Sequence, residues 1–403
     1  MKLLVVHEVS YPKKVVYEIH EFPELLALNG HEVTFVDFDE GATRKDIGQP
    51  RDRVIHGRIH PAASLRLLTP HRFGVPQIDR IWAIFSSIPL FWKLIKHGGF
   101  DVILNFAVPT YGLQVNLLGK LFRVPVLQRA LDVSSKIRES PWNPLIAVFE
   151  KLTFKFASAV STNNPAMTKY VLELMGEQFR DKVVMHYPPL DQRIFKATAR
   201  DQKLATSLGI NPKDKVLMYM GSFFYFSGLD EIIVKFAESV VQDPALKLLL
   251  VGGGEQEPLL RELVENHGLS KNVVFAGFVP FHDLPRYMTL GDVAINPLIV
   301  STVASAAFPH KVLQYMAVGL PTVSTKLDGL YAAFGDESGL RWASNPIETL
   351  EIALDILKND QTQRETQIRL QRDVLDRLFS PQGTVNKLEA TLLELGKLRR
   401  NHA

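Results

Sequence analysis

Short apolar runs recur along the chain, and most are stopped by glycine, proline or polar residues and followed by a helical segment. Such runs predict buried strands. In the first half the predicted strands are Leu3–Val6, Val33–Val36, Val102–Asn105, Val124–Leu127 and Ala159–Thr162. In the second half they are Val216–Met220, Leu248–Val251, Val273–Phe275, Val293–Asn296 and Thr322–Ser324. Alternation of strand and helix predicts an α/β fold with parallel sheets, whose ligands lie at the carboxyl ends of the strands.

The second half shows this pattern most clearly. The strand Leu248–Val251 stops at the glycines 252–254, before a predicted helix over Glu257–Asn266. Pro309 opens a later helix, where its missing N–H costs nothing, and Gly319 closes that helix.

Composition narrows the class of protein. The chain has 403 residues, of which 46% are hydrophobic and 22% charged, so we expect about two or three folded domains rather than disorder. The absence of cysteine excludes disulfides and thiolate metal sites. Only four apolar residues follow Lys2, too few for a signal peptide, and no run approaches the ~20 residues of a membrane span. We therefore expect a cytoplasmic protein, at most touching the inner membrane face, with no nucleic-acid partner.

Several segments in a fixed order resemble one family. They are ALNGHEVTFV, FEKLTFKFASAVSTNNPAMTKYVLE, KVVMHYPPLDQRIF, LLLVGGGEQEP and FPHKVLQYMAVGLPTVST. The chain resembles, over nearly its whole length, the GT-B family of retaining glycosyltransferases (family 4, or group 1) that build bacterial polysaccharides and glycolipids. The resemblance implies transfer from a nucleotide sugar, a co-substrate rather than a cofactor, without a metal. The same architecture also hosts sugar-nucleotide epimerases.

The resemblance also implies a domain organisation. It predicts two Rossmann-like, doubly wound domains facing a cleft: an acceptor domain over residues 1–197 and a donor domain over residues 198–382. The polar stretch around 191–203 is the expected linker. Ser380-Pro381 breaks the terminal helix, and a last helix, Asn386–Leu398 within residues 383–403, is expected to cross back to the first domain.

The expected phosphate-binding charges are missing. Family members place an Arg and a Lys in the loop after the first strand of the second domain, where this chain has Ser222 and Ser227 in MGSFFYFSG. Of two glutamates eight residues apart, the first is replaced by Ala306 and the second by Gln314, which can still hydrogen-bond a ribose hydroxyl.

Lys311 is the predicted replacement for these cations. It lies beside His310 in the first turn of the helix that Pro309 opens, where a diphosphate would meet the helix N-terminus. A lysine there opposes the helix dipole, which indicates a nearby anion. The alternative is a lysine that is merely solvated.

The remaining donor candidates are turn and strand-end residues. Glycines 252–254 let the backbone approach a donor, although a structural turn also explains them. Phe278 and Val279 stand where family members bind the nucleobase, although a buried strand end is an equal alternative. The full predicted donor set is Gly221, Ser222, Ser227, Gly252, Gly253, Gly254, Phe278, Val279, Pro309, His310 and Gln314.

The first domain carries the acceptor candidates. Family members often have His-Asp after the fourth strand, where LQRALDVSS has Leu131-Asp132. We predict catalytic roles for Asp132 and Lys311, and acceptor contacts for Arg129 and Lys136. A structural ion pair of Arg129 is the alternative. Asp37-Phe38-Asp39 matches a metal motif of another transferase architecture and is interpreted here as the end of a strand; no metal site is predicted.

A basic and aromatic region predicts contact with anionic lipid. Residues 51–100 hold eight basic residues against Asp52 and Asp79: Arg51, Arg53, Arg58, Arg66, Arg72, Arg80, Lys93 and Lys96. The segment IDRIWAIFSSIPLFWKLIK then places Trp82, Phe85, Phe91 and Trp92 on a helix interrupted by Pro89. This combination favours an interfacial helix. The alternative is a core helix beneath a solvated basic loop.

Two functions follow. The leading hypothesis is a glycosyltransferase that moves a sugar from a nucleotide sugar to a lipid-linked or polysaccharide acceptor. The alternative is a catalytically weakened GT-B protein that binds a sugar nucleotide or a transferase partner, since the expected charges are absent. An epimerase is less favoured because the linker motif and last helix resemble those of transferases.

Overall fold

The structure, a computed structural model, describes residues 1–39, 51–70, 76–133, 142–358, 360–381 and 383–400. The chain forms two compact units. The first comprises Met1–Pro189 with Pro381–Ala403, and the second comprises Leu190–Ser380.

The first unit is built on a mainly parallel sheet. Its strands are β1 (Lys2–Val6), β2 (Glu32–Val36), β3 (Asp52–His56), β4 (Ser64–Leu68), β5 (Val102–Asn105), β6 (Val126–Ala130), β7 (Ala159–Thr162) and β8 (Val183–Met185). Among the described residues their order is β3-β4-β2-β1-β5-β6-β7-β8. The pairs are parallel except for β3, which runs antiparallel to β4.

Helices cover this sheet. They are α1 (Glu18–Leu28), α2 (Pro76–His97), α3 (Gly112–Leu121), α4 (Asn143–Phe156) and α5 (Pro165–Met175). Local sequence sets their ends: the Asn164 side chain accepts a hydrogen bond from the Met167 N–H at the start of α5, and Gly176 follows its last turn.

The second unit is built on a parallel sheet. Its strands are β9 (Lys215–Ser222), β10 (Leu246–Gly253), β11 (Val273–Gly277), β12 (Val293–Asn296), β13 (Thr322–Thr325) and β14 (Arg341–Ala343). Within the described part of this unit their order is β11-β10-β9-β12-β13-β14. Its helices are α6 (Gln202–Ser207), α7 (Leu229–Gln242), α8 (Glu257–Asn266), α9 (Leu284–Met288), α10 (Thr302–Ala306), α11 (His310–Ala317), α12 (Asp328–Phe334), α13 (Pro346–Lys358) and α14 (Gln361–Leu378).

The last helix, α15 (Val385–Arg400), belongs to the first unit. Its Leu388 and Leu392 are fully buried in the core with Leu3 and Phe22. Its Glu389 accepts a hydrogen bond from the Asn29 amide at 2.7 Å and also pairs with a histidine of the first unit. Apolar burial and polar contacts together hold this terminal segment in the first unit.

The α/β architecture with two Rossmann-like parallel sheets is confirmed, as are the predicted strands in outline. The fourth strand starts later than predicted, at Val126, because Val124 and Pro125 still belong to the turn after α3. The sequence interpretation missed β3, β4, β8 and β14. The helix predicted to be interrupted at Pro89 continues through it as α2. The carbonyl of Ile84, five residues earlier, accepts hydrogen bonds from the Ser87 hydroxyl and the Gln114 amide, which supply polar contacts to this stretch of helix.

Candidate functional site

The order of the second sheet contains a switch point. From β9 the chain adds β10 and β11 on one side, and then places β12 on the other side of β9. In parallel sheets, ligands bind at the carboxyl ends of the strands where the order reverses. The carboxyl end of β9, Gly221 and Ser222, is therefore the first place to look for a ligand site.

Two glycines bring β9 and β10 close together at this edge. Gly221 has φ +142° and pairs in register with Gly252, which has φ +130°. A Cβ added at Gly252 would lie 2.1 Å from the Gly221 carbonyl oxygen. A side chain at position 252 would thus push the strands apart, so glycine is required there by this contact and by its positive φ.

The glycines at and just after the end of β10 are also packed closely against neighbouring residues. A Cβ at Gly254 would lie 2.6 Å from the Phe223 carbonyl oxygen, and one at Gly253 would lie 2.8 Å from Cε2 of Phe278. Phe278 itself is 73% exposed, and Val279 is half-buried. The predicted buried strand end does not describe Phe278, because its ring stands in solvent against the glycine turn.

Lys311 reaches this edge from α11. Its Nζ lies 4.0 Å from the centre of the Tyr219 ring, and 3.2 Å from the point that a Cβ at Gly221 would occupy. Among the described carboxylates none forms an ion pair with it. The side chain keeps some exposed surface, yet the protein surrounds its ammonium, and this burial lowers the Lys311 pKa from 10.5 to about 7.

Two tyrosines fix the end of β9. The Tyr219 hydroxyl donates to the Ser222 carbonyl oxygen at 3.0 Å. The Tyr315 hydroxyl accepts from the Met220 N–H at 2.5 Å, and burial raises the Tyr315 pKa. Both rings are almost fully buried. Sequence reasoning missed Tyr219 and Tyr315, because an aromatic residue in a buried strand or helix gives the same pattern as any core residue.

Three predicted donor residues, Pro309, His310 and Gln314, lie in α11 or directly before it. Pro309 is the residue before α11 rather than its first residue, and His310 is half-buried at the first helical position. Gln314 is 8% exposed and Ala306 is buried.

Ser227 has a structural position in the loop after β9. It is 2% exposed, at the end of a single 3-10 turn. Gly228 follows with φ +67°, where a Cβ would lie 2.2 Å from the Pro297 carbonyl oxygen. The loop exposes Phe224 and Tyr225 instead. The surface on which family members would carry cations is aromatic here.

Asp132 lies in the first unit, just beyond β6. Its pKa is raised to about 6, first because protein removes water from the carboxyl and second because Glu18 repels its charge; Lys14 acts in the opposite direction. The side chain nevertheless presents an exposed surface. A carboxyl whose pKa is raised in this way is suited to exchanging a proton with a bound hydroxyl.

Arg129 is 1% exposed and forms a buried ion pair with Glu18, with Nε to Oε1 at 2.7 Å and Nη2 to Oε2 at 3.1 Å. Its Nη1 donates to the Ser161 hydroxyl and to the carbonyls of Thr162 and His186. This position favours the structural alternative over direct acceptor contact. The other acceptor candidate, Lys136, lies outside the described residues.

The Asp37–Asp39 motif follows directly after β2, which ends at Val36, in line with its interpretation as a strand terminus. Asp37 is 1% exposed and accepts from the Tyr11 N–H and the Thr69 hydroxyl, while Asp39 pairs with Lys13. Within the described ranges there is no group of three or more side chains placed to hold a metal ion.

The aromatic part of the segment 51–100 folds as one helix, α2, with two different faces. Asp79, Ala83, Ser87, Phe91 and Ile95 of α2 are buried. Its opposite face exposes large apolar side chains: Ile78, Ile81, Trp82, Phe85, Ile88 and Trp92.

Several of the basic residues counted in this segment make contacts within the first unit. Arg66 pairs with Asp52, Arg58 donates to the Tyr11 carbonyl, and Arg80 lies over the Phe38 ring. Arg72 lies outside the described residues. None of the helices in the described ranges has the length and apolar character needed to cross a bilayer.

Comparison with known proteins agrees with this geometry. Residues 201–373 match the family model of glycosyl transferases group 1. The chain is 25% identical to N-acetyl-alpha-D-glucosaminyl L-malate synthase of Bacillus anthracis, over 89% of this chain and 88% of that one. It is 25% identical to an uncharacterized glycosyltransferase of Methanocaldococcus jannaschii, over 88% and 89% of the two chains. The structure of HepE from Anabaena in complex with UDP superposes with a TM-score of 0.74 at 19% identity, covering 98% of this chain and 100% of that chain.

The two parallel-sheet units, like HepE, have the GT-B fold, and the group 1 match and the named relatives indicate a glycosyltransferase. The residues that match the group 1 model lie in the second unit and include Gly221, Lys311 and Gln314.

Proposed function

We propose that the protein transfers a sugar from a UDP-sugar, whose diphosphate binds at the carboxyl end of β9. The observation that carries this proposal is the Lys311 ammonium, which stands beside Gly221 with no carboxylate of the described residues to pair with it. We choose UDP as the nucleotide because HepE, a structural relative, was solved in complex with UDP.

Neighbouring groups supply the other contacts of the donor. We propose that the first N–H groups of α11 and the backbone N–H groups of Gly253 and Gly254 donate to phosphate oxygens. The Gln314 amide replaces the usual carboxylate towards the ribose, and the exposed Phe278 ring offers a face to the base. Lys311 and these N–H groups stabilise the negative charge of the departing diphosphate, which glycosyl transfer requires, and in this proposal no metal takes part.

The acceptor is proposed to be a lipid-linked or saccharide hydroxyl, bound at the carboxyl edge of the first sheet. Asp132 is the proposed polar contact there, because it lies just beyond the carboxyl end of β6 and its pKa is raised to about 6. We propose transfer with retention, following the family resemblance, and a location at the cytoplasmic membrane face.

Calorimetry with UDP, GDP and ADP in the presence of EDTA tests the donor site. We expect UDP to bind in EDTA. Lys311→Ala removes a charge-assisted contact of ~1.5–3 kcal/mol, or roughly 10- to 150-fold in affinity, whereas Gln314→Ala removes a neutral contact of ~1 kcal/mol, or roughly fivefold. Binding that disappears on chelation, or equal losses in the two variants, would contradict the proposal. Lys326→Ala, at an exposed lysine over Tyr331, is the matched control.

The exposed face of α2 is proposed to lie on an anionic membrane. This apolar face continues onto α3 and α4, because Trp92 packs edge-on against Phe122 at 4.9 Å and Lys120 lies over Phe156. Leu117 and Leu121 of α3 and Leu145 and Val148 of α4 are exposed as well. Exposed lysines interleave with these side chains: Lys93, Lys96, Lys120 and Lys151. Apolar anchors among cations match a surface of anionic headgroups better than they match a protein of the same charge.

Vesicle sedimentation tests this surface. We expect binding to phosphatidylglycerol vesicles that weakens as salt rises, and little binding to phosphatidylcholine. Phe85→Ser, on the exposed face, should reduce vesicle binding and leave folding intact. Phe91→Ala, on the buried face, should instead destabilise the first unit by about 3–5 kcal/mol. Absence of binding at low salt, or self-association that buries the same face, would refute the membrane proposal.

A non-catalytic sugar-nucleotide binder is the second candidate, favoured by Ser222, Ser227 and Ala306 at positions where cations and a carboxylate are expected. Hydrolysis of UDP-sugars to UDP in the absence of acceptor separates the two. Steady turnover that Lys311→Ala abolishes supports the transferase. UDP binding without any turnover, with vesicles and saccharides present, supports the binder.

A further inference from the structure

We propose that Tyr219 is a positioning residue for this reaction: its ring holds the Lys311 ammonium charged and aimed at the donor diphosphate. The inference rests on the proposed function and adds a role for a buried side chain on a different element. The carrying observation is the 4.0 Å separation between the Lys311 Nζ and the centre of the Tyr219 ring.

In most sites that hold a partly buried lysine, a carboxylate pairs with the ammonium. Here the Tyr219 ring is the group beside the ammonium. An ion pair would hold the ammonium equally well, but it would neutralise the charge that a diphosphate needs. An aromatic face attracts the cation through its quadrupole and carries no net charge. The ammonium is therefore fixed in position and still available to an anion.

The ring also opposes the effect of burial. Loss of water favours the neutral amine of Lys311 and lowers its pKa to about 7, whereas the Tyr219 face favours the ammonium. A diphosphate placed at Gly221 adds to the second effect. We thus expect UDP to bind the charged form, so that affinity is greatest below the pKa of free Lys311 and declines as pH rises above it.

Tyr219 is itself held rigidly. Its ring is 1% exposed, in the core with Leu217, Phe223 and Leu248, and its hydroxyl donates to the Ser222 carbonyl oxygen at 3.0 Å. The same residue therefore connects the aromatic support of Lys311 to the backbone turn at Gly221 and Ser222. We therefore expect the position and charge of the Lys311 ammonium to depend more on the aromatic ring of Tyr219 than on its hydroxyl.

The test compares Tyr219→Phe with Tyr219→Leu by calorimetry with UDP between pH 6 and pH 9. The Phe variant keeps the ring, so its affinity should stay within about threefold of the wild type. The Leu variant should bind UDP about tenfold more weakly at pH 7, and its loss of affinity with rising pH should begin at lower pH. Tyr219→Met, whose unbranched and flexible side chain adapts to the space left by the ring, serves if the Leu variant does not fold.

A second measurement separates positioning from simple core damage. In a Lys311→Met background, Tyr219→Leu should have no further effect on UDP affinity, because the cation that it positions is gone. Tyr331→Leu removes the ring beneath the exposed Lys326 and is the matched control, with unchanged UDP affinity.

The outcomes distinguish the two proposals. Equal affinities and equal pH midpoints for the Phe and Leu variants, or an undiminished effect of Tyr219→Leu in the Lys311→Met background, overturn the role of Tyr219 and leave the donor site standing. Failure of the wild-type protein to bind UDP overturns the donor site itself.

Discussion

Lys311→Met should stabilise the unliganded second unit near neutral pH, and this gain should vanish in alkali. The folded protein holds Lys311 with a pKa of about 7, whereas the unfolded chain has a value near 10.5. Between these values the unfolded state binds more protons, so the stability of the wild type rises with pH across that window and is lowest below pH 7. Methionine keeps a similar chain length and removes the titration.

The magnitude follows from the site. Each pKa unit corresponds to about 1.4 kcal/mol, so the shift of Lys311 sets an upper limit of about 5 kcal/mol on the charge penalty. The Tyr219 ring offsets about 2 kcal/mol of it, and the partly exposed surface of the lysine offsets more. We expect Lys311→Met to raise the free energy of unfolding by about 2 kcal/mol at pH 6.5, with the difference falling towards zero near pH 10.

Urea unfolding at several pH values measures this difference. Because the two units can unfold separately, a background with Trp82, Trp92 and Trp142 replaced by Phe leaves Trp342 as the single tryptophan, which reports on the second unit. Lys326→Met, at an exposed lysine that also lies over an aromatic ring, should change stability by less than about 0.5 kcal/mol at every pH. A gain for Lys311→Met that is independent of pH, or a loss at pH 6.5, would show that the ammonium is not penalised by burial.

Two further variants test the contacts that shape each unit. Glu18→Gln should destabilise the first unit by about 3 kcal/mol, because it leaves the buried Arg129 without its counter-charge; a loss under about 1 kcal/mol in urea would mean that water replaces the carboxylate. Gly252→Ala should destabilise the second unit by about 3 kcal/mol and abolish UDP binding, since its Cβ would lie 2.1 Å from the Gly221 carbonyl oxygen. Gly268→Ala, with φ +67° and no atom within 4 Å, is the control for backbone strain alone and should keep UDP affinity.

Local patterns were sufficient for most of the fold. Strands such as Val102–Asn105, Ala159–Thr162 and Val293–Asn296 have the predicted bounds, because a central strand of a parallel sheet is buried on both faces and is apolar throughout. The helix Glu257–Asn266 also agrees. The edge strands β3 and β14 were missed because partial burial breaks up the apolar run.

The sequence by itself also singled out Lys311, because a helix that opens with proline and carries a lysine in its first turn is an unusual local arrangement. It could not decide what surrounds that lysine. Tyr219 is distant along the chain and meets Lys311 only because β9 and α11 pack together in the second unit. In the same way, Arg129 meets Glu18 across 111 residues and becomes a structural ion pair. Backbone preference and hydrophobic periodicity act over a few residues, so they can be recognised in the sequence alone. Burial, cation–π contact and charge pairing depend on which distant segments the fold brings together, so only the tertiary structure decides them.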